Sequence, residues 1–239
     1  MKNKTKSIEY KLSDGFKKSI PIILGYFPVS FTYGIAASNG GLDPIIALVI
    51  ALTNFTSAGQ FIGTNVIISN GTFLEVGVAT FVVNIRYALM SLSLSQKIEK
   101  MPLYKKLILA FGITDETFAV SALEQNKVNF KYMMGLILGP YLSWATGTIS
   151  GAYFSTLLPE KLQNAMGIAL YGMFLALVIP ETRKSKKVLK VVSISVMISV
   201  AFRYLYFLKE VSGGWTIIIS TIIASTLGAI FFPQEDNNE

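Results

Sequence analysis

Phe73-Leu-Glu-Val-Gly-Val-Ala-Thr-Phe-Val-Val-Asn-Ile-Arg-Tyr-Ala-Leu-Met-Ser-Leu-Ser-Leu-Ser95 decides the fold. It is long enough to cross a bilayer as a helix, which takes about 20 mostly apolar residues. Arg86 sits near its middle. A cation at that depth costs roughly 2.5–3.5 kcal/mol on insertion scales. It persists where it faces a protein interior, a wet cavity or an anionic partner. The stretch therefore predicts a polytopic membrane protein with a polar pathway around Arg86; an arginine paired for packing alone is the other reading.

The rest of the chain agrees. It has 239 residues, of which 52% are hydrophobic and 15% charged. Soluble domains carry about 25% charged residues. Further apolar runs cover Ile20–Ser38, Pro44–Ser69, Tyr132–Phe154, Gln163–Pro180, Val191–Leu208 and Gly214–Phe232, with a shorter mixed run at Leu107–Leu123. Connections are short, so residues 1–239 read as one transmembrane transport domain. Residues 1–19 form a basic cytoplasmic N-terminus, and 233–239 an acidic tail. The first run is too long and too interrupted by Gly and Pro for a signal peptide.

Lysines set the orientation. Lys2, Lys4, Lys6, Lys11, Lys17 and Lys18 precede the first run; Arg183, Lys184, Lys186, Lys187 and Lys190 form a second cluster, and Lys97, Lys100, Lys105 and Lys106 a third. All three clusters belong inside, with both termini cytoplasmic. A full crossing by Pro44–Ser69 would put Lys97–Lys106 outside. The conflict vanishes if Pro44–Ser69 breaks near Asn54, Gly59 and Gln60 and returns to the outer side. Leu107–Leu123 would likewise dip in and return, with Gly112-Ile-Thr-Asp-Glu116 at its tip. The expectation is an all-α helical bundle with about six full spans and two broken or re-entrant segments; eight spans is the alternative. Exposed backbone at such depth requires protein or water to satisfy it.

Several residues could carry function. Asn54, Gln60, Asn84, Arg86, Asp115 and Glu116 are polar groups in apolar surroundings. Asp115 or Glu116 is the expected partner of Arg86, and a carboxylate held there could take up and release protons. Equally, Asp115 and Glu116 could simply cap a short helix running from Thr114 at the cytoplasmic surface. Gly25, Pro28, Gly59 and Pro140 are candidate helix breaks, as in transporters whose interrupted helices offer backbone groups to substrate. Gly135, Gly139, Ser143, Gly147 and Gly151 recur every fourth residue, a close-packing stripe; the partner helix could lie in this chain or another. Tyr10, Tyr26, Tyr104, Tyr132, Trp144, Tyr153 and Trp215 read as interface anchors.

Exclusions follow from what is missing. The chain has no Cys and no His, which removes disulfides, thiolate and imidazole metal sites, Cys nucleophiles and His bases. No GxxxxGK[ST] loop occurs, so the chain does not itself hydrolyse ATP. No cofactor and no enzyme activity are expected. The net charge of +7 lies in loops between apolar runs, which argues against nucleic acid.

Gly25-Tyr-Phe-Pro-Val-Ser-Phe-Thr-Tyr-Gly34, Ser57-Ala-Gly-Gln-Phe61, Val83-Asn-Ile-Arg-Tyr-Ala-Leu89 and Thr114-Asp-Glu-Thr-Phe-Ala119 resemble the AzlC family of bacterial branched-chain amino acid permeases. A looser match lies in Ala169–Ala176. The resemblance implies a multi-pass plasma-membrane protein that exports branched-chain amino acids, with a small membrane partner of AzlD type. It implies that Gln60, Asn84, Arg86, Asp115 and Glu116 belong to the polar core. Many members carry an acidic residue in the segment equivalent to Gly167–Phe174; this chain has none, so proton coupling through that position is not carried over. The sequence thus predicts a secondary transporter of small apolar amino acids, with alternating access around a midplane site. A permease or assembly subunit dependent on a partner protein is the alternative.

Overall fold

In a computed structural model, the protein is described at residues 10–159, 161, 175, 178–180, 182–205, 208 and 211–232. The predicted span Gln163–Pro180, the Gly167–Phe174 segment and the acidic tail lie mainly or wholly outside the described residues. The described helices are α1 (Leu12–Asn39), α2 (Pro44–Thr53), α3 (Ala58–Ile68), α4 (Phe73–Ser95), α5 (Leu103–Phe111), α6 (Asp115–Ala122), α7 (Phe130–Phe154), α8 (Lys186–Tyr204) and α9 (Gly213–Phe231), with a 3-10 turn at Ser155–Leu157. By length and composition α1, α4 and α9 can each cross a membrane. The described residues form only helices as regular elements, as expected. Two compact units emerge, Met1–Ser57 with Asn84–Gln163, and Ala58–Val83 with Asn164–Glu239.

The first unit is built on α1 and α7. The stripe of small residues in α7 is what lets them meet. A Cβ at Gly135 would strike the Leu12 carbonyl, one at Gly147 would come 2.6 Å from the Phe27 carbonyl oxygen, and one at Gly151 would strike the Phe31 carbonyl. The Ser143 hydroxyl donates to the Ile23 carbonyl at 2.7 Å. Helix α1 answers with its own small residues, since a Cβ at Gly15 or Gly34 would meet the α7 backbone. Close approach of this kind drives helix association in lipid. Contacts advance together, from Leu12 beside Gly135 to Ser38 beside Ser155, so the pair is parallel.

Two prolines sit inside α1 and one inside α7. The sequence suggested breaks at Gly25, Pro28 and Pro140, yet both helices are continuous through them. A proline removes one hydrogen bond of the ladder, and the flanking bonds and the neighbouring helix hold the rest. The Thr32 hydroxyl also donates back to the Pro28 carbonyl at 2.9 Å.

Real interruptions occur elsewhere. Helix α2 ends at Thr53 and α3 begins at Ala58, with Ser57 at a positive φ of 52°. Gly59 and Gln60 fall just beyond the break, in the first turn of α3. Helices α5 and α6 are nine and eight residues long, or about 12–14 Å each. Neither spans the roughly 30 Å of hydrocarbon alone.

Together α5 and α6 form a hairpin against α7. At its base, Ile98 pairs with Val128 and the Lys105 ammonium lies 5.2 Å from the Phe130 ring centre. At its tip, a Cβ on Gly112 would meet Ile137, about a third of the way along α7. The chain then returns to Glu124, which accepts from Tyr132 at 2.6 Å and Tyr10 at 2.8 Å and pairs with Lys18 at 3.2 Å. Burial raises the Glu124 pKa, but these hydrogen bonds outweigh it and hold the carboxyl below its ordinary value. The Lys97–Lys106 loop therefore sits at the same end of this unit as Lys18, as the positive-inside rule requires.

In the second unit α3 packs on the first turns of α4. A Cβ at Gly63 would lie 3.1 Å from the Thr80 hydroxyl. Glu75, in the first turn of α4, accepts from the Thr72 N–H at 2.6 Å and from the Ser212 hydroxyl that caps α9. Helices α8 and α9 pair antiparallel, with Val191 against Gly228.

Candidate functional site

The site forms where the α5–α6 hairpin tip and the α2–α3 break meet the middle of α4, within the first unit. Thr114 caps α6 by accepting from the Thr117 N–H, and Thr117 answers by accepting from the Thr114 N–H at 2.8 Å. This reciprocal cap starts α6 and pairs the Thr114 and Thr117 amides. It also places Asp115 and Glu116 in the first turn of α6, where the helix dipole favours negative charge. The cap is Thr114 itself rather than the carboxylates, and the capped turn lies at the level of the middle of α1 rather than at the hairpin base. The Tyr26 hydroxyl, on the middle of α1, fixes this level. It donates to the Glu116 carboxylate and lies 2.8 Å from the Thr114 hydroxyl.

Asp115 meets Arg86 at 2.9 Å, with the two side chains 37% and 41% exposed. The guanidinium also donates to the Tyr87 hydroxyl at 3.2 Å. Tyr87 in turn donates to the Thr56 carbonyl in the α2–α3 break, at 2.9 Å. A continuous polar chain thus runs from Asp115 through Arg86 and Tyr87 to Thr56, tying one interrupted segment to the other. A second freed carbonyl, that of Leu52, accepts from Tyr141 at 2.9 Å. Asn54 holds the break itself, accepting from the Thr56 hydroxyl at 2.7 Å. The break is roofed by an edge-packed aromatic cluster in which Phe55 lies 5.9 Å from Tyr26, 5.3 Å from Tyr141 and 6.3 Å from Trp144.

Two groups stay uncommitted. Arg86 Nε and Asn84 Oδ1 are buried with no hydrogen-bond partner among the described residues. A donor without an acceptor and an acceptor without a donor are costly unless something else fills them. One carbon–oxygen anion and one ammonium would do so. Gln60, also expected in the pathway, and Gly59, expected as a break, belong to the second unit, where Gln60 is fully buried.

Tyr26, Tyr132 and Trp144 are not interface anchors. All three are at least 93% buried, because their hydroxyls or ring edges have partners inside the first unit. Tyr87 was quoted in the sequence but given no role. The signal available was an aromatic hydroxyl beside an intramembrane arginine.

Residues 21–158 match the family described as AzlC protein. The chain belongs to the AzlC family. An uncharacterised membrane protein of Archaeoglobus fulgidus is 31% identical over 71% of this chain and 75% of that protein. The Escherichia coli inner membrane protein YgaZ is 25% identical, over 72% of this chain and 74% of its own length. The Bacillus subtilis branched-chain amino acid transport protein AzlC is 24% identical, over 77% and 73%. No solved structure matches the chain. The AzlC match runs through α1 to α7 and so contains the whole Arg86–Asp115 site. These relatives and the apolar helices mark the chain as a multi-pass protein of the plasma membrane.

Proposed function

We propose that the whole chain is one secondary transporter that exports branched-chain or similar small apolar amino acids. One observation carries this reading: the polar chain Asp115–Arg86–Tyr87–Thr56 joins two interrupted helical segments at mid-depth. The Bacillus subtilis relative's name supports the substrate class. The substrate carboxylate takes Arg86, using the unfilled Nε and displacing Asp115. Asp115 and Glu116 then face the ammonium. The break carbonyls of Leu52 and Thr56 already hold tyrosine hydroxyls, so carboxylates suit that role better.

The membrane arrangement we propose is six crossings and two dips, with both termini inside. The hairpin geometry of α5–α6 and the half-length of α2 and α3 support it. Alternating access then moves the half-helix hairpins past the α1–α7 pair. Hinging at Pro28 or Pro140 fits less well, since the helices run unbroken there. The coupling ion acts at Asp115 or Glu116, and a small membrane partner of AzlD type accompanies the chain in the cell.

Cells loaded with a leucine or valine dipeptide test this by amino acid efflux. Arg86→Ala removes efflux while the protein still inserts and accumulates. Unchanged efflux in that variant overturns the assigned site.

A further inference from the structure

Below the Arg86–Asp115 pair, the first unit contains a cavity of about 200 Å³ between the C-terminal turns of α4 and the α5–α6 hairpin. We infer that it is the inner-side loading site, where a single aliphatic α-amino acid is held before it reaches Arg86. This rests on the transport reading above and adds where substrate is first selected.

Three features argue for it. Size is the first, because drug-sized sites run to roughly 300–1,000 Å³, and this cavity admits only a molecule of a few heavy atoms. Lining is the second. Ile98, Leu109, Ala110 and Ile113 make the wall and floor apolar, with Leu109 and Ile113 almost fully buried. Ile98 cannot give way, because Glu99 N–H donates to the Val128 carbonyl and Val128 N–H to the Lys97 carbonyl, both at 3.0 Å. The floor is therefore a fixed apolar surface that rewards an aliphatic side chain and leaves a polar one without partners.

The rim is the third feature. Glu99, Lys100 and Lys106 stand around the opening, and none of them is in an ion pair with any described residue. Both signs of charge lie at one end of an apolar pocket. That matches an α-amino acid, whose carboxylate and ammonium sit on one carbon and whose side chain points away from them. A monovalent anion would leave Glu99 unanswered. The deep end of the cavity reaches Ser91 on α4 and Ile113 at the hairpin tip. Ser91 is five residues from Arg86 on one helix, about 7–8 Å along the axis, and Ile113 is two residues from Asp115. The cavity thus ends roughly one to two helical turns short of the ion pair, and a substrate reaches Arg86 from it by moving along α4 toward the hairpin tip.

The chain has no cysteine, so Ala110→Cys places one thiol in the wall. The full chain is reconstituted in lipid vesicles and labelled from the inner face with a membrane-impermeant maleimide. Leucine at ten times its dissociation constant slows labelling about elevenfold if it fills the site, and lysine at the same concentration does not. Ser95→Cys, at the same opening, repeats the measurement if Ala110→Cys folds poorly. Lys100→Gln and Lys106→Gln each raise the leucine concentration for half-maximal efflux by up to roughly fivefold, the ceiling for a solvent-exposed ion pair. Efflux of leucine without protection of either thiol overturns the loading site and leaves the transport reading standing. Labelling slowed by added phosphatidylglycerol but not by leucine overturns it too, and makes the cavity a lipid site. Absence of leucine, valine and isoleucine efflux from the wild-type chain overturns both.

Discussion

Adding one methyl group at Gly147 tests the packing that carries the site. Its Cβ would meet the Ser30 hydroxyl and come 2.6 Å from the Phe27 carbonyl oxygen, where ordinary contacts begin at 3.4 Å. The obstruction is backbone, so no rotamer change relieves it. Helices α1 and α7 must separate by about 0.8 Å, and a gap of that size forfeits a quarter to a half of each dispersion contact along the seam. Overpacking of this kind costs about 1–3 kcal/mol. Gly25→Ala is the matched control on the same pair of helices, because nothing lies within 4 Å of its Cβ. Alanine in a helix is favoured over glycine by up to about 1 kcal/mol, and both variants share that gain. The difference between them therefore isolates the clash, about 1–3 kcal/mol or roughly 5–150-fold in the unfolding equilibrium. Denaturant titration in mixed micelles reads it through the fluorescence of Trp144, with Trp215→Phe removing the second indole. Gly25→Ala also keeps efflux, since α1 is continuous there. Stabilities of Gly147→Ala and Gly25→Ala within about 0.5 kcal/mol of each other would refute the close-packed parallel pair.

Two further outcomes are expected. Glu124 has its carboxyl held below the ordinary range, so its contribution to stability is present above the unfolded value of about 4.3 and is lost as pH falls through the folded value. Glu124→Gln therefore lowers stability by about 1 kcal/mol at pH 6 and flattens its pH dependence below pH ~4; thermal unfolding of both proteins at pH 6 and pH 3 checks this. Single cysteines at Lys100 and Gly71 label from opposite faces of the membrane, Lys100 from the inner one and Gly71 from the outer; Lys100 reacting from the outer face and Gly71 from the inner one would replace the six-crossing arrangement with eight spans.

The sequence carried some elements almost unaided. Helix α4 spans the same residues, Phe73–Ser95, that its apolar run delimits, because a lipid-crossing helix is defined by composition and length. The break near Asn54 and the tip at Gly112–Glu116 were legible because polar and glycine residues cluster there against an apolar background. Helix α1 begins at Leu12 rather than Ile20, since Asp14 accepts from the Lys11 N–H at 2.8 Å and charged first-turn side chains reach water. Prolines misled, because whether one breaks a helix depends on neighbours the local sequence does not display. The partner of the α7 stripe was also invisible: α1 and α7 are adjacent in space and about 90 residues apart in sequence. Tyr26 and Tyr87 were missed for the same reason, since a buried tyrosine differs from an interfacial one only by what stands opposite its hydroxyl.

The distance in sequence between α1 and α7 has a consequence during synthesis. Helix α1 leaves the ribosome some 90 residues ahead of the helix it must clasp. At about 5–20 residues per second that is a wait of roughly 5–20 s. Throughout it the glycine face of α1, with Ser19, Ser30 and Thr32, faces lipid or the insertion machinery instead of α7. The nascent chain thus inherits a timing problem from its topology, and slowing translation between residues 40 and 130 prolongs the interval in which the first helix stands alone.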